Sequence, residues 1–307
     1  MKKILLTGAS GFFGRSVIDS LKHNSDNFEC FCVYHSKPLK TSEKKFHWMQ
    51  CDLLNKEKTE QLINNVKPSH LVHLAWHVPP QKFWTAEENI DWLHASINLF
   101  QTFGKNDGQV FVGAGTLAEY DWSSGTIDEA TTPLKPNTLY GQCKKSLCDV
   151  LISLRNTHYP QIKIIWPRIG YFFGPDEPKE KIMSKLIYSI QNELPIDLAS
   201  HNFIRPYAHV KYFGEIMHKL LINDGIGDAV FNMSCSNSYS LKEIVDFIQT
   251  KLNKNTRENL NNYNAYPSLP ISLSVQTGYL KNIPGLEIAD SFFDDLETMM
   301  GNNNEGF

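Results

Sequence analysis

Three glycines at intervals of three, Gly8, Gly11 and Gly14, constrain this chain more than any other feature of its sequence. The apolar run Lys3 to Leu6 leads into the first of them, and Ser16-Val17-Ile18-Asp19-Ser20-Leu21 after the third has helical character. A second apolar run, Phe28 to Tyr34, follows, so the opening reads as strand, tight turn, helix, strand, a parallel β-α-β crossover. Glycines at this spacing permit the turn, let the backbone approach a pyrophosphate and bring the helix close to the strand. The N–H groups at the helix start are then aimed at anionic oxygens. Gly8, Gly11, Phe12, Phe13 and Gly14 are therefore the expected dinucleotide-binding loop.

The rhythm continues along the chain. His70-Leu71-Val72-His73-Leu74-Ala75, Val110 to Val112 and Ile162 to Trp166 are short β-branched-rich runs suited to strands buried on both faces. Glu88 to Phe103 carries Ile90, Leu93, Ile97 and Phe100 at helical spacing, and Thr138 to Thr157 does so with Leu147, Val150, Leu151 and Leu154. Alternation of this kind predicts an α/β fold, a Rossmann-type doubly wound parallel sheet. Beyond Trp166 the prolines Pro167, Pro175, Pro178, Pro195 and Pro206 punctuate shorter segments, which predicts a smaller, loop-rich C-terminal α/β cap that binds substrate. One more strand and helix, Ala229 to Met233 and Leu241 to Leu252, follow. The expected division is discontinuous: residues 1–166 plus about 207–232 for the dinucleotide domain, and about 167–206 plus 233–307 for the cap. Six asparagines between Asn253 and Asn264 mark a mobile connector, and Gly301 to Phe307 a frayed tail.

Composition excludes several classes of partner. With 307 residues, 41% of them hydrophobic, the chain can bury a full core. Thirty Lys and Arg against 33 Asp and Glu give a net charge of −3 with no basic cluster, so nucleic acid is not an expected partner. The opening Met1-Lys2-Lys3-Ile4-Leu5-Leu6 is broken by Thr7-Gly8 and is not read as a secretory signal, and no apolar run is long enough to span a bilayer. Six scattered cysteines without CxxC pairs, and histidines without convergent spacing, predict free cytoplasmic thiols and no metal site. Cys143 reads as a packing residue.

Cofactor choice is read at the end of the second strand, where a carboxylate would bind the ribose 2′-hydroxyl of NAD(H). That place holds Tyr34-His35-Ser36-Lys37. No acid is present, and Ser36 and Lys37 suit a 2′-phosphate, which favours NADP(H) over NAD(H). Asp52 and Leu53, after a third apolar run, are expected near the adenine.

Tyr140-Gly141-Gln142-Cys143-Lys144 puts a phenol and an ammonium at i and i+4 on one helix face. Lowering a phenol from about 10 to neutrality takes about 4 kcal/mol. One lysine charge at about 4 Å, in an effective dielectric near 20, supplies about that much. The pair is expected to act as an acid/base.

With Thr116 ahead of Tyr140 and the glycine loop in place, the sequence resembles the short-chain dehydrogenase/reductase superfamily, in its extended NAD-dependent epimerase/dehydratase branch. The resemblance is carried by Thr7 to Gly14, His73-Leu74-Ala75, Asn89, Thr116, Tyr140, Lys144, Pro167-Arg168, Gly174-Pro175 and Arg205 to Val210, and thins out beyond about Ser240. It implies that Tyr140 handles the proton, that Lys144 lowers its pKa and holds the nicotinamide ribose, and that Thr116 hydrogen-bonds the reacting oxygen. It extends the cofactor set to Leu74, Ala75, Trp76, Asn89, Pro167 and Ile169, and adds His77, Tyr171 and Arg205 to Thr116 and Tyr140 as substrate residues. Arg205 stands where relatives place a ligand to the substrate's diphosphate; a structural ion pair is the other reading. The resemblance also implies a homodimer through the two long helices.

Departures from the family narrow the expected reaction. Dehydratases of this branch carry Asp-Glu directly after the threonine, whereas Leu117 and Ala118 stand here, with Glu119 one place late and expected to point elsewhere. Enzymes that epimerise before reducing have a cysteine where Ala118 stands. Tyr171 replaces a phosphate-binding Asn, and Pro206 and Lys211 replace common acids. Trp76 and Trp84, in the loop Trp76 to Trp84, suit either sugar stacking or packing. The expected activity is NADP-dependent reduction of a keto group, at C4, on a nucleotide-diphosphate deoxysugar. The rivals are a 4-epimerase with retained NAD and a non-catalytic NADP sensor or scaffold.

Overall fold

The computed structural model describes residues 1–23, 27–39, 43–80, 82–198, 203–223, 225–260 and 270–302. In chain order the elements begin with β1 (Lys2–Thr7), α1 (Phe12–Lys22), β2 (Phe28–Tyr34), β3 (Phe46–Gln50), α2 (Lys56–Val66) and β4 (His70–His73). They continue with α3 (Glu88–Lys105), β5 (Val110–Gly113), β6 (Gly115–Thr116), β7 (Thr126–Ile127), α4 (Leu139–His158), β8 (Lys163–Ile169) and β9 (Tyr171–Phe173). Then come α5 (Ile182–Gln191), β10 (Ile196–Leu198), β11 (Ile204–Arg205), β12 (Tyr207–His209), α6 (Val210–Ile222) and β13 (Ala229–Met233). The last are β14 (Tyr239–Ser240), α7 (Leu241–Leu252), β15 (Glu258–Leu260), β16 (Ser274–Val275), α8 (Gly278–Lys281) and α9 (Phe292–Asn302).

The chain falls into two units. The first comprises Met1–Glu119, Leu134–Ile169 and Phe213–Phe231. Its sheet runs β3-β2-β1-β4-β5-β8-β13, with β6 added along β8, and the pairs from β3 to β8 are parallel. This is the doubly wound order expected from the sequence. Its direction reverses between β1 and β4, the place where open α/β sheets take their ligands. Leu5, Leu71, Phe111 and Ile164 on one sheet face pack with Leu62 and Ile63 of α2, Phe100 and Phe103 of α3, and Leu147 and Leu151 of α4.

The strand–helix approach that opens the chain is set by Gly14. A Cβ there would lie 2.2 Å from the Gly8 carbonyl oxygen, so any side chain would lift α1 off β1. β4 ends at His73, two residues before the apolar run does, and the Leu74 N–H just beyond it still donates to the Thr7 carbonyl of β1 at 3.3 Å.

The second unit comprises Tyr120–Pro133, Gly170–Tyr212 and the chain from Asn232 onward. Helices α5, α7 and α9 enclose a core of Leu186, Ile187, Ile190, Ile244, Val245, Ile248, Leu296 and Met299. The loop-rich expectation is thereby corrected: the prolines separate elements, but between them lie helices with apolar stripes. The segment Tyr120–Pro133 also belongs here, although nothing in its pattern set it apart. The Tyr120 hydroxyl donates to Asn232 Oδ1 at 2.9 Å, the Glu129 carboxylate accepts from the backbone N–H of Asn232 at 2.6 Å and of Tyr279 at 3.0 Å, and β7 pairs with β16. Of the expected connector Asn253 to Asn264, the first part forms a left-handed helix cap at Asn253 (φ 51°) and then β15, while 261–264 lie outside the described residues. Of the expected tail Gly301 to Phe307, α9 takes in Gly301 and Asn302, and 303–307 lie outside them too.

All six cysteines are free and buried. Among the described residues no helix is long and apolar enough to cross a membrane.

Candidate active site

Gly8 has φ +67°, and a Cβ on it would lie 2.8 Å from the backbone nitrogen of Ala75, so only glycine lets the loop after β1 approach the loop after β4. Gly11 caps α1 without a side chain, and no acid lies in the first turn of that helix. Such an N-terminus, at the reversal of strand order, fits the pyrophosphate of a dinucleotide. Phe12 and Phe13 pack against each other at 5.1 Å, and Phe13 against Phe213 at 4.6 Å.

At the end of β2, His35, Ser36 and Lys37 are exposed, with His35 Nδ1 3.1 Å from Ser36 Oγ. Asp52 follows β3 and accepts from the Leu54 N–H at 3.1 Å, and Leu53 beside it is buried. In β8, Pro167 is buried and Ile169 pairs with Thr116 of β6.

Thr116 and Tyr140 come together through the start of α4. Thr138 caps that helix by accepting from the Gly141 N–H at 3.0 Å, and the Trp84 carbonyl accepts from the Tyr140 N–H at 3.1 Å. Gly141 sits against the Ala118 carbonyl oxygen, 2.2 Å from where a Cβ would be, so the glycine inside the YxxxK pattern brings the helix onto the threonine turn.

Burial pushes the Tyr140 phenol well above its ordinary range; the neighbouring Thr116 hydroxyl pulls the other way, and the nearby Glu119 charge adds to the rise. Lys144 is pulled down to about 7 by burial, opposed by the negative charge of Glu119 and by Cys143. A common helix face does not fix where a long side chain ends, and the Lys144 ammonium lies 3.7 Å over the indole ring of Trp76.

Glu119 is fully buried. Its carboxylate accepts from Arg168 Nε at 2.8 Å, Trp166 Nε1 at 3.0 Å and the Thr116 N–H at 2.9 Å. It is a fixed anchor for the threonine turn, and Leu117 and Ala118 beside it are buried and apolar.

Between β4 and α3, the loop from Trp76 to Trp84 surrounds the Tyr140 ring. Phe83, Trp84 and Trp76 all meet it edge-on, at 4.9, 5.9 and 6.5 Å. Asn89 is buried beneath this loop, accepting from Trp76 Nε1 at 2.8 Å and donating to the carbonyls of Phe83 at 2.7 Å and Ala86 at 2.8 Å. Both its amide hydrogens thus hold the loop. His77 stands 3.9 Å from Glu88.

In the second unit, Arg205 is buried. Its guanidinium donates to the carbonyls of Ile204 at 2.7 Å, Ile271 at 3.0 Å and Pro270 at 2.7 Å, and lies against Phe203 and Tyr171. The expected role was a ligand to the diphosphate, with an ion pair as the other reading; among the described residues the guanidinium meets backbone carbonyls and not a carboxylate. Tyr171 is half-buried, and burial raises its phenol while the neighbouring Arg205 guanidinium opposes the rise. Lys211 pairs with Asp295 of α9.

Sequence reasoning missed the polar chain that fixes the end of β4. The Ala75 N–H donates to Thr7 Oγ1 at 3.3 Å, Thr7 Oγ1 lies 2.8 Å from His73 Nδ1, His73 Nε2 lies 2.8 Å from Ser96 Oγ, and Ser96 donates to the Trp92 carbonyl at 2.6 Å. Burial, with the Lys144 charge nearby, lowers His73 to about 3. The ring is neutral, so Thr7 donates to Nδ1 and Nε2 donates to Ser96. The available signal was a polar residue at each end of two adjacent, otherwise apolar strands.

The family model described as "NAD dependent epimerase/dehydratase family" matches residues 4–234. The dTDP-6-deoxy-L-talose 4-dehydrogenase (NAD(+)) of Aggregatibacter actinomycetemcomitans is 24% identical over 274 residues, covering 86% of this chain and 95% of that protein. The dTDP-4-dehydro-6-deoxyglucose reductase of Escherichia coli is 23% identical over 266 residues, covering 82% of each. Among solved structures, MoeE5 in complex with UDP-glucuronic acid and NAD superposes with a TM-score of 0.85 at 17% identity, over 99% of this chain and 100% of that one. UDP-glucuronic acid 4-epimerase from Bacillus cereus gives 0.84 at 18% identity, over 99% of each chain. With the glycine turn, the doubly wound sheet and the Thr116–Tyr140–Lys144 cluster in one unit, and a family match over most of its length, the chain belongs to the NAD dependent epimerase/dehydratase family.

Proposed function

We propose that this chain reduces a keto group, at C4, of a nucleotide-diphosphate-linked deoxysugar, with NADP(H) as the working cofactor. The observation that carries the reading is the state of the acids around Thr116. Glu119 is buried on Arg168, and Leu117 and Ala118 offer no ionisable group, so the turn after Thr116 supplies no free acid or base and the proton falls to Tyr140. Elimination of water would need a second acid and a base at those positions; reduction of a ketone needs one proton.

Bound reduced nicotinamide supplies the hydride. The other tasks fall to this chain's residues. Tyr140, held protonated by burial, gives its phenolic proton to the carbonyl oxygen as the carbonyl carbon becomes a secondary alcohol. Thr116 donates a hydrogen bond to the same oxygen. Lys144, whose ammonium makes no hydrogen bond or ion pair among the described residues, holds the ribose hydroxyls with its free donors. The turn at Gly8 and the N-terminus of α1 take the pyrophosphate. The relatives whose names print a sugar act on or bind nucleotide-linked sugars, and two of them are a dTDP-6-deoxysugar dehydrogenase and a dTDP-deoxysugar reductase, which supports this substrate class.

The test mixes the protein with NADPH and a panel of dTDP-, UDP- and GDP-linked 4-keto-6-deoxy sugars. Oxidation of NADPH with formation of the alcohol is the expected result. Co-purifying NAD with inversion at C4 and no net redox would replace this reading by the epimerase, and NADP binding without turnover of any sugar would replace it by a sensor.

The choice between cofactors rests on the end of β2 alone, because the relatives whose names state a cofactor are named with NAD. Lys37→Ala is expected to raise the KM for NADPH about tenfold, the equivalent of about 1.4 kcal/mol for one phosphate contact, and to leave that for NADH within about twofold. Steady-state kinetics with each cofactor checks this, and equal effects on both would overturn the NADP preference.

A further inference from the structure

We propose that Trp76 is a positioning residue for Lys144: its indole face holds the ammonium that no carboxylate reaches, and its N–H, tied to Asn89, fixes the ring that does so. This rests on the assignment of Tyr140 and Lys144 as the working pair.

Lys144 is buried, and its ammonium lies 3.7 Å above the centroid of the Trp76 ring, well inside the range of a cation–π contact. Among the described residues it has no ion pair. The charged and titratable groups around it are few. Glu119, from the turn after β6, acts on it through space, but its carboxylate is bonded to Arg168 at 2.8 Å. His73 of β4 is neutral, and the buried Cys143 adjoins it on α4. The indole is therefore the group in direct contact that favours the charged form. Its orientation is set independently of Lys144: Trp76 Nε1 donates to Asn89 at 2.8 Å, the ring packs 6.3 Å from Trp92, and its edge meets Tyr140 at 6.5 Å. One residue thus touches both members of the catalytic pair. Because a ring face is occupied by the ammonium, the sugar-stacking role entertained for Trp76 gives way to this one.

A desolvated cation–π contact shifts a lysine upward by about one pH unit. Trp76→Leu keeps the site dry and removes the π face, so Lys144 should titrate about one unit lower; Trp76→Phe keeps a face and should stay within about 0.3 unit. The direct measurement is the pH titration of the 13Cε signal of Lys144 in the protein without added cofactor, assigned with Lys144→Arg. A fluorinated-tryptophan series incorporated into the wild-type chain preserves the ring's shape and weakens its face, so each added fluorine should lower the midpoint stepwise even if Trp76→Leu fails to fold. In the reductase assay, the alkaline limb of kcat/KM should move with the NMR midpoint. A midpoint unchanged by leucine and by fluorination would overturn the role of Trp76 and leave the reductase reading standing. A shifted midpoint in a protein that turns over no sugar would do the reverse.

Discussion

Tyr140→Phe lowers kcat by about 10²- to 10⁴-fold on any ketosugar the wild type reduces, the ordinary contribution of a positioned general acid. The substitution is close to a single-atom change. The ring keeps its edge-on neighbours Phe83, Trp84 and Trp76, and the helix keeps its cap at Thr138, so the fold has no reason to respond. What disappears is the hydroxyl that Thr116 meets and that carries the proton. Its loss is equivalent to about 3–5 kcal/mol of transition-state stabilisation, against a few tenths for the cofactor complex. Stopped-flow turnover combined with a cofactor titration by fluorescence separates the two. A variant with wild-type kcat would show that the proton comes from elsewhere and would remove the basis of the proposed function.

Glu119→Ala destabilises the first unit by about 3–5 kcal/mol, because it takes the carboxylate away from the buried Arg168 guanidinium and removes the acceptor that Trp166 Nε1 and the Thr116 N–H share. Glu119→Gln keeps an acceptor for Trp166 and Thr116 and should cost about half as much. Replacing both partners, Glu119→Leu with Arg168→Met, removes the stranded charge and should recover most of the loss. Urea denaturation followed by tryptophan fluorescence measures all three. If Glu119→Ala shifted stability by less than about 1 kcal/mol, the pair would not be the anchor described here, and Glu119 would be free for the chemistry denied it above.

Both predictions concern residues the sequence brought forward, but on different grounds. The glycine turn and the Tyr140–Lys144 pair were legible because their geometry is local. A turn between strand and helix, and side chains four apart on a helix, are fixed by backbone periodicity, and the same periodicity marked the alternation of strands and helices that implied a doubly wound parallel sheet. The inward turn of Glu119 was legible in part, from its offset after Thr116. Its partner was not, since Arg168 lies 49 residues away on another strand. Arg205 shows the limit more sharply. Its place in the family pattern suggested a diphosphate ligand, with a structural ion pair as the other reading, while the backbone carbonyls it meets, those of Ile204, Pro270 and Ile271, include two that lie 65 and 66 residues away and left no trace in the pattern. A guanidinium accepts either kind of partner, and the type of residue alone does not choose.

The sequence by itself determined the doubly wound sheet and the glycine turn after its first strand, and it brought forward Tyr140 and Lys144 as the proposed acid/base pair, because each follows from short-range spacing along one chain. Tertiary structure alone decided which charges those residues meet. Lys144 rests on Trp76, Tyr140 meets three aromatic rings edge-on, and Glu119 is bonded to Arg168. Electrostatic influence falls with distance in space and rises with burial, and neither quantity is a function of separation along the sequence.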